Sequence, residues 1–171
     1  MSCVKPVVSN SSPLIWLAKI GRLRLLEKLF GHVVVPRKVY EEVALGKQSA
    51  DAILISKAVE EGWIKVSEEN LEEAKALASV SGLHLGEAEA ILLAQKLGVE
   101  LIVDEREASV TAQMFGVRPI GTIAVLLLAL AKGELKLSEF KDCLDSLAAS
   151  GFWLSLDVYN EALNKARSIS Q

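Results

Sequence analysis

The sequence alternates short runs of β-branched residues with longer segments of helical period, and this order constrains the fold more than any other feature. The short runs, which predict strands, lie at residues 4–9, 32–35, 63–66, 99–103 and 117–120. Segments with a helical period lie between and after them, at 50–61, 71–80, 86–97, 105–115, 122–131, 137–148 and 156–166. The alternation predicts an α/β fold with a mainly parallel central sheet flanked by helices.

The size and composition of the chain favour one globular domain. A length of 171 residues is usual for one domain, so we expect a single domain over 1–171 with the helices of 137–166 packed on it. Hydrophobic residues make up 51% and charged residues 24%, which excludes a disordered chain. The longest apolar stretch, 120–131, is shorter than the ~20 residues of a membrane-spanning helix, so no membrane association is expected.

The first ten residues have no long apolar core and no small-residue cleavage site, so we expect a cytoplasmic location. Cys3 and Cys143 show no CxxC spacing, and we expect thiols that pack as small hydrophobic groups. The formal net charge of −3 repels phosphate, so a nucleic-acid partner would require a local basic patch or a bound metal.

Acidic and amide residues follow several of the predicted strands. Asn10 follows the first strand and Asp104 the fourth, while Glu41 and Glu42 lie in the helix after the second strand and Glu87 in the helix before the fourth. Ligands of an open parallel sheet bind outside the carboxyl ends of the strands, where the strand order reverses. These residues are therefore the candidates for a functional site.

Other kinds of site find little support. His32 and His84 have no partner at a metal-site or catalytic-triad spacing, and we interpret both as structural. The sequence Asn10-Ser11-Ser12-Pro13 after the first strand lacks the glycine patterns of dinucleotide and nucleoside triphosphate sites. It instead predicts a serine cap and an early proline at the start of a helix.

Several carboxylates around one cleft, without sulfur or imidazole, form the ligand set of a hard cation such as Mg²⁺ or Mn²⁺. Such cations activate water and stabilise charge during phosphodiester hydrolysis. A bound cation would also supply the positive field that a chain of net charge −3 lacks.

Most candidates also have a purely structural interpretation. Asp104 stands where a helix cap belongs, Asn10 suits a turn, and Glu41 and Glu42 suit a solvated helix surface. Glu87 is the exception, because a carboxylate on an apolar face is costly unless it is paired or bound to metal. Helical phase separates some of them: most apolar residues of 86–97 fall on the side of Glu87, whereas Glu89 falls opposite, beside Lys96. Phase likewise favours Glu42 over Glu41 as the inward-facing acid.

Six segments occur in a familiar order over nearly the whole chain. They are VVSNSSPLIWLAKIGRLRLLEKLF, VPRKVYEEV, LHLGEAEAILLAQKLG, IVDEREA, FGVRPIGTIAVLLLALAKGEL and GFWLSLDVYNEAL. Through them the chain resembles PIN-domain proteins, and in particular their VapC-like branch of predicted nucleic-acid-binding proteins. The resemblance implies a PIN-like three-layer sandwich, Mg²⁺- or Mn²⁺-dependent endoribonuclease activity, and service as the toxin of a type II toxin-antitoxin pair.

The resemblance also implies a site. The acids of the family fall by position on Asn10, Glu42, Glu87 and Asp104, with Glu42, Glu87 and Asp104 as the metal ligands. Thr122 matches a hydroxyl position near the site. Asn10 departs from the family aspartate, because an amide offers a carbonyl oxygen but brings no charge and cannot act as a base. Glu105 is a candidate accessory acid, but its place in the first turn of a helix also suits the helix macrodipole, and we interpret it first as such a charge.

Three functions remain open at this point. The leading hypothesis is a divalent-metal-dependent endoribonuclease, which could act as a homodimer and bind an antitoxin. The second is a weakened PIN module that binds RNA or a protein partner without cutting, and the third is an α/β enzyme with a small phosphorylated substrate. RNA would contact basic side chains near the site, for which the candidates are Lys19, Arg22, Arg37, Lys38 and Arg106.

Overall fold

The computed structural model describes residues 4–69 and 72–171, so Cys3 and the predicted helix start at Leu71 lie outside the described residues. The described residues form five strands: β1 (Val7–Ser9), β2 (Val33–Pro36), β3 (Ile64–Ser67), β4 (Leu101–Ile102) and β5 (Pro119–Ile120). They also form ten helices: α1 (Ser11–Lys19), α2 (Leu25–Phe30), α3 (Arg37–Val43), α4 (Ala50–Glu61), α5 (Glu72–Ser81), α6 (Leu85–Leu97), α7 (Arg106–Met114), α8 (Thr122–Ala131), α9 (Leu137–Ala149) and α10 (Leu156–Ile169).

The strands form one parallel sheet in the order β3-β2-β1-β4-β5. Every strand pairing is parallel, so the predicted α/β class with a parallel central sheet is confirmed. The chain builds outward from β1 to β3 on one side, then crosses back to place β4 on the other side of β1. Strand order therefore reverses between β1 and β4, which is where such sheets bind ligands.

Three of the five strands are shorter than the sequence predicts, whereas β2 and β3 keep the predicted length of four residues and begin one residue later. The first was expected over 4–9 but begins at Val7, because Pro6 has no N–H to donate to the ladder and Val4 is exposed. The fourth and fifth, expected over 99–103 and 117–120, pair over two residues each. The hydrogen bond from the Val103 N–H to the Ile120 carbonyl, 2.9 Å long, continues their contact toward the site.

Successive strand residues point to opposite faces, and each face carries a layer of helices. Val7 and Val33 pack in the larger core with residues of α1–α4 and α8–α10. Val8 and Leu101 pack in a second core with residues of α6 and α7. The layered arrangement holds the sheet between two sets of helices and leaves the carboxyl ends of the strands free for a site.

The apolar helix α8 lies inside the fold. Its Val125, Leu126 and Ala129 are fully buried, and they share a core with Phe140 of α9. Cys143 is a buried free thiol in the same core, as the sequence predicts. Among the described residues, no helix combines the length and apolar character needed to cross a membrane.

Candidate active site

A cleft of about 420 Å³ opens at the carboxyl end of the sheet, beside the reversal of strand order. The starts of α1, α6 and α7 and the end of α3 supply its lining: Asn10, Ser11, Ser12, Glu42, His84, Glu87 and Glu105. Three of the four predicted site residues, Asn10, Glu42 and Glu87, thus line one cleft. The fourth, Asp104, lies beside it, directly before Glu105.

The side chains at the start of α1 form hydrogen bonds within the cleft and do not cap the helix. Asn10 occupies the N-cap position, and no side chain caps the helix there, so the predicted serine cap is wrong. Instead Ser11 Oγ donates to Glu42 Oε2 at 2.6 Å and Ser12 Oγ donates to Glu105 Oε1 at 2.5 Å. The two hydroxyls prefer carboxylate acceptors because charge-assisted hydrogen bonds are the stronger ones.

Glu42 enters the cleft near the end of α3, whereas Glu41 faces solvent and lies 3.6 Å from Arg37. The Glu42 carboxylate lies against Gly86 of α6. A Cβ atom at position 86 would lie 3.0 Å from Glu42 Oε1, closer than ordinary contact, and 3.4 Å from Oε2. Gly86 therefore makes the space in which this carboxylate lies.

Asp104 is held by the start of α8. Its Oδ1 accepts the Thr122 backbone N–H at 2.8 Å, and its Oδ2 accepts the Thr122 hydroxyl at 2.7 Å. The sequence position of Asp104 suggested that it caps the helix that follows it. It does not, because Glu105 occupies the N-cap position of α7. A Cβ atom at Gly121 would lie 3.2 Å from Asp104 Oδ1, so a second glycine makes room for a second carboxylate.

The pKa values of two acids show the electrostatic character of the site. Burial raises the pKa of Asp104 above its ordinary value, the Thr122 N–H and hydroxyl oppose this, and the Glu105 charge adds to it. Burial also raises the pKa of Glu87, with further contributions from the Glu105 and Glu42 charges and an opposing effect of His84. The carboxylates are therefore close enough to repel one another when ionised.

Two residues differ from their sequence interpretations. Glu89, expected on the surface, is half-buried. Burial raises its pKa above the ordinary value, and the Lys38 backbone N–H at the start of α3 opposes this shift. His84, interpreted as structural, is the N-cap residue of α6 and lines the cleft. Helical phase placed Glu87 at the cleft, but the surface position that it predicted for Glu89 is wrong, because α3 packs beside that residue.

The basic candidates divide into paired and unpaired side chains. Arg37 and Lys38 lie within 4.0 Å of Glu41, and Arg22 lies 4.0 Å from Glu139. Within residues 4–69 and 72–171, Lys19 and Arg106 form no ion pair, and the Lys19 ammonium lies 5.1 Å from the Trp16 ring centroid. Lys19 and Arg106 are therefore the better candidates for contacts with phosphate.

The donor set suits a hard divalent cation, since three of the residues that line the cleft, Glu42, Glu87 and Glu105, carry carboxylates. In the part of the chain that the structure describes, no three His, Cys, Asp or Glu side chains are gathered into a ready metal site. Two of the carboxylates, those of Glu42 and Glu105, instead accept hydrogen bonds from the serine hydroxyls. The residues fit the cation in chemistry.

The sequence interpretation missed the two glycines. Of the eleven glycines in the chain, nine have a positive φ, which explains them by backbone conformation. Gly86 and Gly121 do not, and both border a candidate carboxylate. The sequence does hold one signal for Gly86, a glycine inside the helical pattern LHLGEAEA. Glycine weakens a helix, so its presence there indicates that a neighbouring group needs the space of a side chain.

Comparison with known proteins agrees with this geometry. A family model described as a PIN domain matches residues 6–168 of the chain. The match spans all five strands and the residues of the cleft. The comparison with curated proteins found no match.

Proposed function

The chain belongs to the PIN-domain family, whose members are generally nucleases, and on that premise we propose that it is a divalent-metal-dependent endoribonuclease. Glu42, Glu87 and Asp104 would hold Mg²⁺ or Mn²⁺, and Asn10 would add a neutral oxygen. When bound, the cation would lower the pKa of water and stabilise charge on the phosphoryl group.

One observation supports this function above all: the cleft is lined by carboxylates and by no lysine or arginine among the described residues. A phosphodiester would meet repulsion there, because like charges at close range raise the free energy of binding. A divalent cation would supply positive charge at the point where the phosphoryl oxygens bind. A cleft with these charges can therefore serve phosphate chemistry only when it holds such a cation.

The other residues of the chain would orient the acids and the substrate. Thr122 fixes the Asp104 carboxylate through two hydrogen bonds, and Ser11 fixes that of Glu42 through one. Lys19 and Arg106, which have no acidic partner in the described residues, would contact the RNA backbone. Such contacts position a substrate without reading its sequence.

The proposal includes the biological setting that the family resemblance suggests. We propose one PIN-like domain over 1–171 that acts as a VapC-like toxin in the cytoplasm and binds an antitoxin protein. A homodimer is also proposed, and Trp153 and Leu156 support it because 84% and 74% of their surfaces are exposed.

The experiment is cleavage of a panel of structured RNAs with Mn²⁺, Mg²⁺ or EDTA. Purified wild type is compared with Asp104→Asn and with Asp142→Asn, which removes an exposed acid of α9 and serves as the matched control. We expect metal-dependent cleavage by the wild type and the control, and loss of cleavage and of Mn²⁺ binding in a folded Asp104→Asn. Cleavage retained in Asp104→Asn would refute the assignment of the site.

Asn10→Asp tests the alternative of a weakened module. Higher activity in this variant would show that position 10 limits the charge of the site. If the wild type and Asn10→Asp both fold and bind RNA or a protein without metal-dependent cleavage, the non-cutting module replaces the nuclease.

A further inference from the structure

Glu105 differs from an ordinary acid at the start of a helix. It occupies the N-cap position of α7, yet its side chain does not cap that helix. Its two oxygens instead accept the Ser12 hydroxyl at 2.5 Å and Asn10 Nδ2 at 3.3 Å. The carboxylate therefore faces the cleft and the end of β1, and the interpretation of Glu105 as a helix-end charge is insufficient.

The partner in this contact is the residue that departs from the family pattern. Asn10 is 3% exposed and follows β1 directly, where an aspartate would place a negative charge. Its amide donates to Glu105, which a carboxylate at the same position could not do while ionised. Asn10 brings no charge to this part of the cleft, but its hydrogen bond holds the Glu105 carboxylate beside it.

Glu105 also lies close to the other candidate acids. It follows Asp104 in the chain and lines the cleft with Glu42 and Glu87. Its charge contributes to the raised pKa values of both Glu87 and Asp104. A carboxylate in this place adds to the attraction of the cleft for a divalent cation, whose affinity rises with the number of charged ligands.

We propose that Glu105 supplies, from the start of α7, the carboxylate that Asn10 does not supply at the end of β1. The charge of the acid set is thus retained with a different residue carrying it. This inference rests on the proposed metal-dependent function, and it assigns Glu105 to the ligands of the cation or to their immediate surroundings.

The test measures Mn²⁺ binding by calorimetry, without RNA. Glu105→Gln removes the charge and keeps one of the two acceptor oxygens, so one of the two hydrogen bonds can be retained. Glu107→Gln removes an acid in the first turn of the same helix. Asn10→Asp combined with Glu105→Gln moves the charge to position 10. We expect Glu105→Gln to weaken binding about tenfold relative to Glu107→Gln, and the double variant to recover wild-type affinity.

The outcomes separate this inference from the proposed function. Equal affinities of Glu105→Gln and Glu107→Gln, or no recovery in the double variant, would overturn the role of Glu105 while Mn²⁺ binding by the wild type upholds the function. A wild type that binds no Mn²⁺ would overturn both. If Glu105→Gln does not fold, Glu105→Asp replaces it; its shorter side chain is also expected to weaken binding, and unchanged affinity would refute the inference.

Discussion

Replacing Gly86 by alanine separates stability from metal binding. Gly86 lies in the first turn of α6 and has no positive φ, so alanine suits its backbone. Alanine in place of glycine within a helix stabilises a protein by about 0.5–1 kcal/mol. For a chain of this size we therefore expect a melting temperature higher by roughly 1–4 °C, before any local crowding.

The methyl group of Gly86→Ala would crowd the carboxylate of Glu42. The new Cβ atom would lie 3.0 Å from Glu42 Oε1, and the neighbour must give way by a few tenths of an ångström. The flexible end of the Glu42 side chain moves more easily than the backbone, so the strain displaces the carboxylate and its 2.6 Å hydrogen bond from Ser11. Changes of this kind around metal ligands reduce metal affinity by about 10–100-fold.

The assay combines thermal unfolding in EDTA with Mn²⁺ titration by calorimetry. Gly86→Ala is expected to unfold at or above the wild-type temperature and to bind Mn²⁺ at least about tenfold more weakly. The control is the same substitution in a Glu42→Ala background, where no carboxylate opposes the new methyl group. There Gly86→Ala should stabilise the protein and leave the remaining Mn²⁺ affinity unchanged.

Two results would refute this reasoning. Wild-type Mn²⁺ affinity in Gly86→Ala would show that Glu42 is not a ligand or that its position is unimportant. An equal loss of affinity in the Glu42→Ala background would show that the methyl group acts through another part of the site.

Two further predictions concern the acids held at the cleft. Since folding raises the pKa values of Glu87 and Asp104, the folded chain keeps protons that the unfolded chain releases above about pH 4. The stability of the metal-free protein should therefore fall as pH rises through the interval between the unfolded and folded pKa values. Denaturant unfolding in EDTA should show a smaller fall for Glu87→Gln, and an unchanged pH dependence would contradict the shift. Thr122→Val removes the hydroxyl that donates to Asp104 Oδ2 but keeps the backbone N–H. We expect the free energy of unfolding to fall by about 1–2 kcal/mol, and Mn²⁺ binding to require a higher pH because the hydroxyl lowers the pKa of Asp104. A wild-type pH profile of Mn²⁺ binding would show that the hydroxyl is dispensable.

The sequence predicted the order of the elements because hydrophobic periodicity records which side of each element is buried. It could not predict strand ends, since these depend on neighbours in the sheet. The predicted strands begin at Val99 and Val117, but the pairing between β4 and β5 begins only at Leu101 and Pro119. Pro6 was the one visible signal for a late strand start, because proline cannot donate to a ladder.

The site was predictable to the extent that sheet topology determines it. Residues after parallel strands meet at one edge, which places Asn10 and Asp104 near the same reversal of strand order. Helical phase then favoured Glu42 and Glu87 over their neighbours. The hydrogen bonds from Ser12 and Asn10 to Glu105 were not predictable, because residues separated by more than ninety positions carry no local pattern of their contact.

The acids of the cleft differ in how the fold compensates their charge, and this difference indicates where a cation would act most strongly. Glu42 and Glu105 accept serine hydroxyls, and Asp104 accepts two hydrogen bonds from Thr122. Glu87 receives no hydroxyl in the described residues; the His84 backbone and ring favour its charge, while burial and the Glu105 and Glu42 charges oppose it. A half-buried carboxylate with so little compensation gains more from an adjacent cation than one already hydrogen-bonded. Glu87 should therefore contribute more of the affinity for a cation than Glu42, whose carboxylate already accepts a hydroxyl.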